Sequence, residues 1–271
     1  MITVPTRTKL AELHRILDGM DRVVVAFSGG IDSSLVAAVA ARALGDRAIA
    51  VTALSPSLPP GEGPAAARTA AEVGIAHRFV RTRETEDPRY LANGLDRCYR
   101  CKNELYDVLT AVAQNAGGAQ VVSGANVDDL GDFRPGLRAA AEHGVRHPLV
   151  EAGMTKADVR SAARSLGVRE WDKPASACLA SRIAFGERIT VEELTRVGRA
   201  ERVLRDLGFG TCRARVHGDL VRVEVDPAEV QRIAAPDVRG TVVDALKELG
   251  FRYVTLDLEG FRSGSMNPAG T

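Results

Sequence analysis

The sequence predicts an α/β protein, a doubly wound parallel sheet followed by a small C-terminal α+β domain. Through the first half, short β-branched runs alternate with helical stretches. Those runs are apolar almost throughout, as strands covered on both faces are. Beyond residue 186 the order changes to helix, two strands, two helices and a final strand.

Taken in order, VVVAF (23–27) reads as a buried strand and DSSLVAAVAARAL (32–44) as the helix that follows it. AIAVTAL (48–54) is a second strand. After the Pro/Gly loop SPSLPPGEGP come a helix, AAARTAAEV (65–73), and a third strand, HRFVRT (77–82). The stretch 102–114 has a helical pattern, and AQVVSG (119–124) is a fourth strand. TKADVRSAARSLG (155–167) opens with a Thr-x-x-Asp cap. VEELTRVGRAERVLRDLG (191–208) is a helix, CRARVHG and LVRVEVD are strands, PAEVQRIA and DVRGTVVDALKELG are helices, and FRYVTLDL is a strand. The pattern predicts one domain over 1–186 and a second over 187–271.

Composition narrows the class. At 271 residues the chain has room for one large domain or a medium and a small one. With 36 basic against 35 acidic residues there is no global field to draw it onto nucleic acid or membrane, and neither is expected as a partner. The opening MITVPTRTKLAELHRIL is amphipathic and charged, so it reads as neither signal peptide nor anchor. No apolar run approaches the roughly 18–20 residues that span a bilayer. Four cysteines do not make a secreted disulfide scaffold, which points to a reduced, cytoplasmic protein.

The first strand runs into FSGGIDSSL (27–35). Two glycines between a strand and a helix let the backbone approach a ligand closely, and the helix N-terminus behind them favours an anion. Ser28, Ser33 and Ser34 add hydroxyls, while Asp32 either caps the helix or helps to hold Mg²⁺ on bound phosphates. The other reading is a tight strand–helix turn with a capping Ser or Asp. In such sheets ligands bind beyond the carboxyl ends of the strands, which brings in Gly124, Asn126, Asp128 and Asp129 after the fourth strand.

SGGIDSS resembles the PP-loop signature of the N-type ATP pyrophosphatases, enzymes with an adenine nucleotide alpha hydrolase-like fold that split ATP to AMP and pyrophosphate while adenylating a substrate oxygen. The resemblance implies ATP bound by Ser28, Gly29, Gly30, Asp32, Ser33, Ser34, Gly124 and Asp128, with VTALS near the adenine. SGANVDDLGDFRPGLRAAAEHGVRHPL (123–149), WDKPASACLASRIAFG (171–186) and FRYVTLDLEGFRSGSMN (251–267) further resemble segments of the LarE family of sulfur transferases. That implies conversion of a carboxylate of a nicotinic-acid-derived mononucleotide to a thiocarboxylate, on the way to a nickel-pincer nucleotide cofactor. Substrate contacts would fall to Lys102, Arg134, Ser181, Arg182, Arg213 and Arg215; Arg213 and Arg215 alternate on a strand and so share a face. Sulfide or another sulfur donor would be the second substrate, and a homo-oligomer is expected.

RCYRCKNELY (97–106) holds two cysteines three apart, which on spacing alone suits a redox pair, half of a zinc site or part of an iron–sulfur site. A structural zinc site normally shows two such pairs, and here there is one. Cys212 lies on a strand between apolar and basic neighbours and reads as a buried structural thiol. Cys98, Cys101 and Cys178 remain. One branch of the LarE family uses a three-cysteine [4Fe–4S] cluster whose open iron carries the sulfur. The other branch gives up the sulfur of one cysteine placed directly after Ala-Ser. Here that position is Ala177 and the cysteine falls one residue later, which favours the cluster and leaves sacrificial use of Cys178 as the alternative. A PP-loop tRNA thiolase is the third reading, one that would need an extended basic surface.

Overall fold

A computed structural model describes residues 2–131, 135–169 and 177–262. The chain forms α1 (Val4–Asp18), β1 (Val23–Ala26), α2 (Ile31–Leu44), β2 (Ala48–Leu54), α3 (Glu62–Val73) and β3 (Ala76–Arg81). Next come α4 (Pro88–Leu91), α5 (Arg97–Asn115), β4 (Gln120–Val122), α6 (Pro135–Glu142), α7 (Pro148–Glu151) and α8 (Lys156–Ser165). The last are α9 (Val191–Asp206), β5 (Cys212–His217), β6 (Leu220–Val225), α10 (Val230–Ala234), α11 (Pro236–Glu248) and β7 (Tyr253–Leu256). They fall into two compact units. The first takes in Met1–Ser55, Gly61–Glu84 and Cys98–Ser176; the second takes in Pro56–Pro60, Thr85–Arg97 and Ala177–Thr271.

The first unit is a parallel sheet in the order β3-β2-β1-β4. Val23 pairs with Ala48 on one side and Gln120 on the other, so β1 is central. Successive side chains of a strand point to opposite faces. Val23 and Val25 accordingly pack with Leu13 and Leu17 of α1, Leu35 and Val39 of α2, Ala66 of α3 and Val159 of α8. Val24 joins Val51 and Val121 under Tyr106 and Leu109 of α5 and Ala139 and Ala140 of α6. Helices cover both faces, which is the doubly wound arrangement and the reason β1 reads as unbroken valine.

Two helices differ from expectation. α1 is amphipathic in sequence and proves to be a full layer of this core, capped by Thr3, whose Oγ1 accepts from Thr6 N at 3.3 Å. α5 begins at Arg97 rather than at 102, because Asn93 and Gly94 supply a start: Arg97 N donates to Gly94 O at 3.0 Å. That moves both cysteines of RCYRC into the helix's first two turns.

In the second unit β5 and β6 are antiparallel and β7 joins β6 in parallel, a mixed three-stranded sheet. α9 buries Leu194, Val197, Ala200 and Leu204, while Cys212, Ala214 and Val216 of β5 and Val221, Val223 and Val225 of β6 are buried beside them. Among the described residues no helix is long and apolar enough to cross a membrane.

Candidate active site

The turn from β1 into α2 is shaped by close approach. Gly29 has φ +74°, and a Cβ there would lie 2.9 Å from the Cα of Ala66, so both conformation and space demand glycine. Gly30 precedes α2 and leaves its end without a side-chain cap. The first-turn N–H groups of α2 are thus left for a ligand, backed by the positive end of the helix. Ser33 Oγ donates to Gly30 O at 3.0 Å and accepts from Ser28 N at 3.3 Å; Ser28 Oγ accepts from Gly30 N at 3.3 Å. These bonds hold the loop open as a cradle. Ser34 differs from the other two serines: it is wholly buried, and its hydroxyl has no hydrogen-bond partner among the described residues.

β4 delivers its exit loop onto the same turn. A Cβ on Gly124 would lie 2.6 Å from Ser33 N, so this glycine permits contact between the two loops. Buried Asn126 donates from Nδ2 to Asp32 Oδ1 at 3.1 Å and accepts from Asp128 N at 3.0 Å through Oδ1. The other oxygen of Asp32 is ion-paired with Lys156 Nζ, and Lys156 N donates to Asp128 Oδ2 at 2.8 Å. Asp32, Asn126, Asp128 and Lys156 thus form one polar set beside the glycine loop. Asp32 and Asp128 are where a hard cation bound to phosphate would find oxygen ligands.

Lys156 was not legible as a site residue. The only sequence signal was its place just after Thr155, the cap of α8. That cap is a full capping box with Asp158. Asp158 Oδ1 accepts from Thr6 at 2.7 Å and Oδ2 from Lys9 at 2.6 Å. Burial pushes the Asp158 carboxyl up, but the bonds from Lys9, Thr6 and Thr155 outweigh it and hold it well below the usual carboxylate range.

Cys98 and Cys101 sit one turn apart at the start of α5, on one side of the helix. Cys98 is exposed and Cys101 half-buried. Lys102 follows, and a Cβ on Gly136 would lie 2.9 Å from its Cγ, so α6 opens directly against it. Arg134 lies outside the described residues, as does the whole of WDKPAS (171–176). Among the described residues no three His, Cys, Asp or Glu side chains form a metal-holding group.

In the second unit Cys178 is half-buried and precedes a single 3-10 turn, Leu179–Arg182. Arg182 is 1% exposed and its pair Glu201 0%, with Nε to Oε1 at 2.6 Å. Arg215 is buried against Glu224, at 3.1 Å from Nε to Oε2. Ser181 Oγ donates to Cys178 O at 2.8 Å. The sequence suggested that Ser181, Arg182 and Arg215 contact substrate; in the structure these atoms hold neighbouring protein groups, because burial makes every guanidinium donor seek a partner. Arg213 likewise donates from Nη1 to Cys212 O at 2.7 Å and lies over the Phe261 ring at 4.7 Å, and burial, helped by Arg182, pulls its pKa down. Cys212 is fully buried, and burial, helped by Glu201, pushes its thiol up to about 11.

A glycine loop opening onto a helix N-terminus, with an acid in the first turn and a lysine set against it, defines an ATP-binding α/β enzyme of the PP-loop class. The asparagine synthase family model matches residues 13–98, the stretch that carries this loop. Pyridinium-3,5-bisthiocarboxylic acid mononucleotide synthase of Lactiplantibacillus plantarum is 41% identical over 96% of this chain and 94% of its own. The uncharacterized protein slr1717 of Synechocystis is 47% identical over 96% of this chain and 97% of its own. Protein MJ0830 of Methanocaldococcus jannaschii, also uncharacterized, is 26% identical over 89% of this chain and 91% of its own. The chain belongs to the LarE family of ATP-dependent, adenylating sulfur transferases.

Proposed function

We propose that this enzyme converts a carboxylate of a nicotinic-acid-derived mononucleotide to a thiocarboxylate during nickel-pincer cofactor synthesis. A carboxylate oxygen attacks the α-phosphorus of ATP and pyrophosphate leaves; a sulfur nucleophile then attacks the acyl carbon and AMP leaves. The observation that carries the first step is the open cradle of Ser28, Gly29, Gly30 and Ser33 at the start of α2, with Lys156 set against Asp32. In this reading the cradle and Lys156 hold the pyrophosphate end, and Asp32 and Asp128 hold Mg²⁺. Lys102, Arg134 and Arg213 contact the substrate nucleotide.

For the second step we assign Cys98, Cys101 and Cys178 as ligands of a [4Fe–4S] cluster. What supports this reading is donor chemistry, with Cys98 and Cys101 on one side of a helical turn and Cys178 half-buried; the described residues do not themselves gather three such ligands. Such a group, when bound, would supply the sulfur, and the basic residues around RCYRC would offset its negative charge. The second reading is that Cys178, half-buried rather than sealed in the core, gives up its own sulfur. Cytoplasmic placement and a homo-oligomer belong to the same proposal.

The test is pyrophosphate exchange into ATP that depends on the pyridine mononucleotide carboxylate, followed by mass spectrometry for oxygen replaced by sulfur. Anaerobically purified protein is expected to be brown, with about four irons per chain. Colourless protein whose Cys178 becomes dehydroalanine during one turnover would select the second reading. No exchange with folded protein would end both.

A further inference from the structure

Three guanidiniums converge on one short segment of the second unit. Arg97 Nη1 donates to Ala180 O at 3.0 Å. Arg182 Nη1 donates to Ala177 O at 3.0 Å and Cys178 O at 3.1 Å, and Arg215 Nη1 donates to Ser181 O at 2.9 Å. The carbonyls on both sides of the Cys178 thiol are therefore taken up by arginine. The three arginines come from different places: the start of α5, the segment itself and β5.

Each is fixed in turn by its own partner. Arg97 also donates to Asn93 Oδ1 and lies over the Phe185 ring at 5.0 Å. Arg182 is held by Glu201 and Arg215 by Glu224, both carboxylates fully buried. Asn93 sends Nδ2 to Ala184 O at 2.8 Å and Glu187 O at 3.0 Å, so the bracing continues past the 3-10 turn. Asn93 adopts φ +55°, a conformation that costs free energy and persists only where its surroundings over-determine it.

Apolar packing would stabilise such a segment more cheaply, since taking a guanidinium out of water costs several kcal/mol per ion. What a planar, charged donor adds is direction: it fixes where each carbonyl points and hence the backbone that carries Cys178. We infer that Arg97, Arg182 and Arg215 are positioning residues that hold the Cys178 segment in one conformation for the sulfur-transfer step. The inference rests on the reading of Cys178 as a sulfur-handling residue, and it holds for cluster ligation and for sacrificial use alike.

Arg97→Lys and Arg215→Lys keep the charge but lose the planar fork. In the full chain, amide hydrogen exchange over residues 177–183 and the alkylation rate of Cys178 are followed by mass spectrometry. Exchange there is expected to quicken at least about tenfold, and Cys178 alkylation to change about threefold, with Tm and exchange in β1 and α2 unaltered. Wild-type exchange and alkylation in both variants would overturn the inference. So would a lowered Tm with equally faster exchange everywhere, which is what purely structural arginines give. If Arg215→Lys does not fold, Arg97→Lys alone decides. Neither readout needs turnover, so failure of the sulfur-handling reading shows separately, as full activity in Cys178→Ser.

Discussion

The glycine loop of the first unit and the Cys178 segment of the second put hydrogen bonds to opposite uses. At 28–34 the chain forgoes side chains at Gly29 and Gly30, bends through a left-handed glycine and leaves the helix end without a side-chain cap, so that backbone donors remain for a ligand. At 177–182 it spends donors freely, with arginines on four carbonyls and carboxylates behind two of those arginines. The first arrangement leaves backbone donors open; the second uses side-chain donors up. A loop that must accept a charged ligand keeps its polar groups unsatisfied until the ligand arrives. A loop that must present one of its own atoms satisfies them beforehand.

The contrast predicts where damage goes. Arg182→Met leaves buried Glu201 with Arg205 at 3.3 Å as its remaining charged partner and Ala214 N at 3.4 Å as a backbone donor. Urea unfolding should show a loss of about 3–5 kcal/mol, partly recovered by adding Glu201→Gln. Gly124→Ala drives a Cβ towards Ser33 N and should lower pyrophosphate exchange on the order of a hundredfold while circular dichroism stays native. A stable Arg182→Met protein, or a Gly124→Ala protein with normal exchange, would break the comparison.

Lys156→Ala sharpens it. Its side chain is 32% exposed, so stability should change by less than about 1 kcal/mol, whereas KM for ATP should rise roughly tenfold. A large stability loss with unchanged KM would make Lys156 a structural residue and leave the cradle without its cation. The smallest effect belongs to Asp158. Its carboxyl is held below the usual range in the folded state, so it contributes stability above about pH 4, lost as pH falls towards its folded pKa. Tm should therefore be flat from neutral pH to about 5 and fall below about 4, and Asp158→Asn should flatten that acid limb at a cost of about 1 kcal/mol near neutrality.

Local signals in the sequence were enough for the strands. VVVAF and AIAVTAL are β-branched and apolar because both faces of the sheet are covered, and that demand is written into each strand separately. The glycine loop was legible for the same reason, since its geometry is set by adjacent residues. Lys156 was not, because it is 124 positions from Asp32 and only the crossing of α8 past the start of α2 joins them. In the sequence Arg97 is only a neighbour of two cysteines; its actual contacts, Asn93 and Ala180, depend on where the helix begins and on a loop 83 positions away. Arginine in a sequence announces charge, but burial decides whether that charge greets a ligand or a carbonyl, and burial at 182 and 215 comes from α9 and β6.

One feature of the amino-terminal helix has a practical side. Thr6 and Lys9 grip Asp158, Asp158 closes the capping box with Thr155, and the next residue is Lys156, whose ammonium meets the phosphate loop. A fusion or tag that unwinds the first two turns of α1 would therefore act as a remote inhibitor of ATP use, slackening the lysine without touching the nucleotide. For anyone handling the protein, the cleanliness of its first few residues is a kinetic variable.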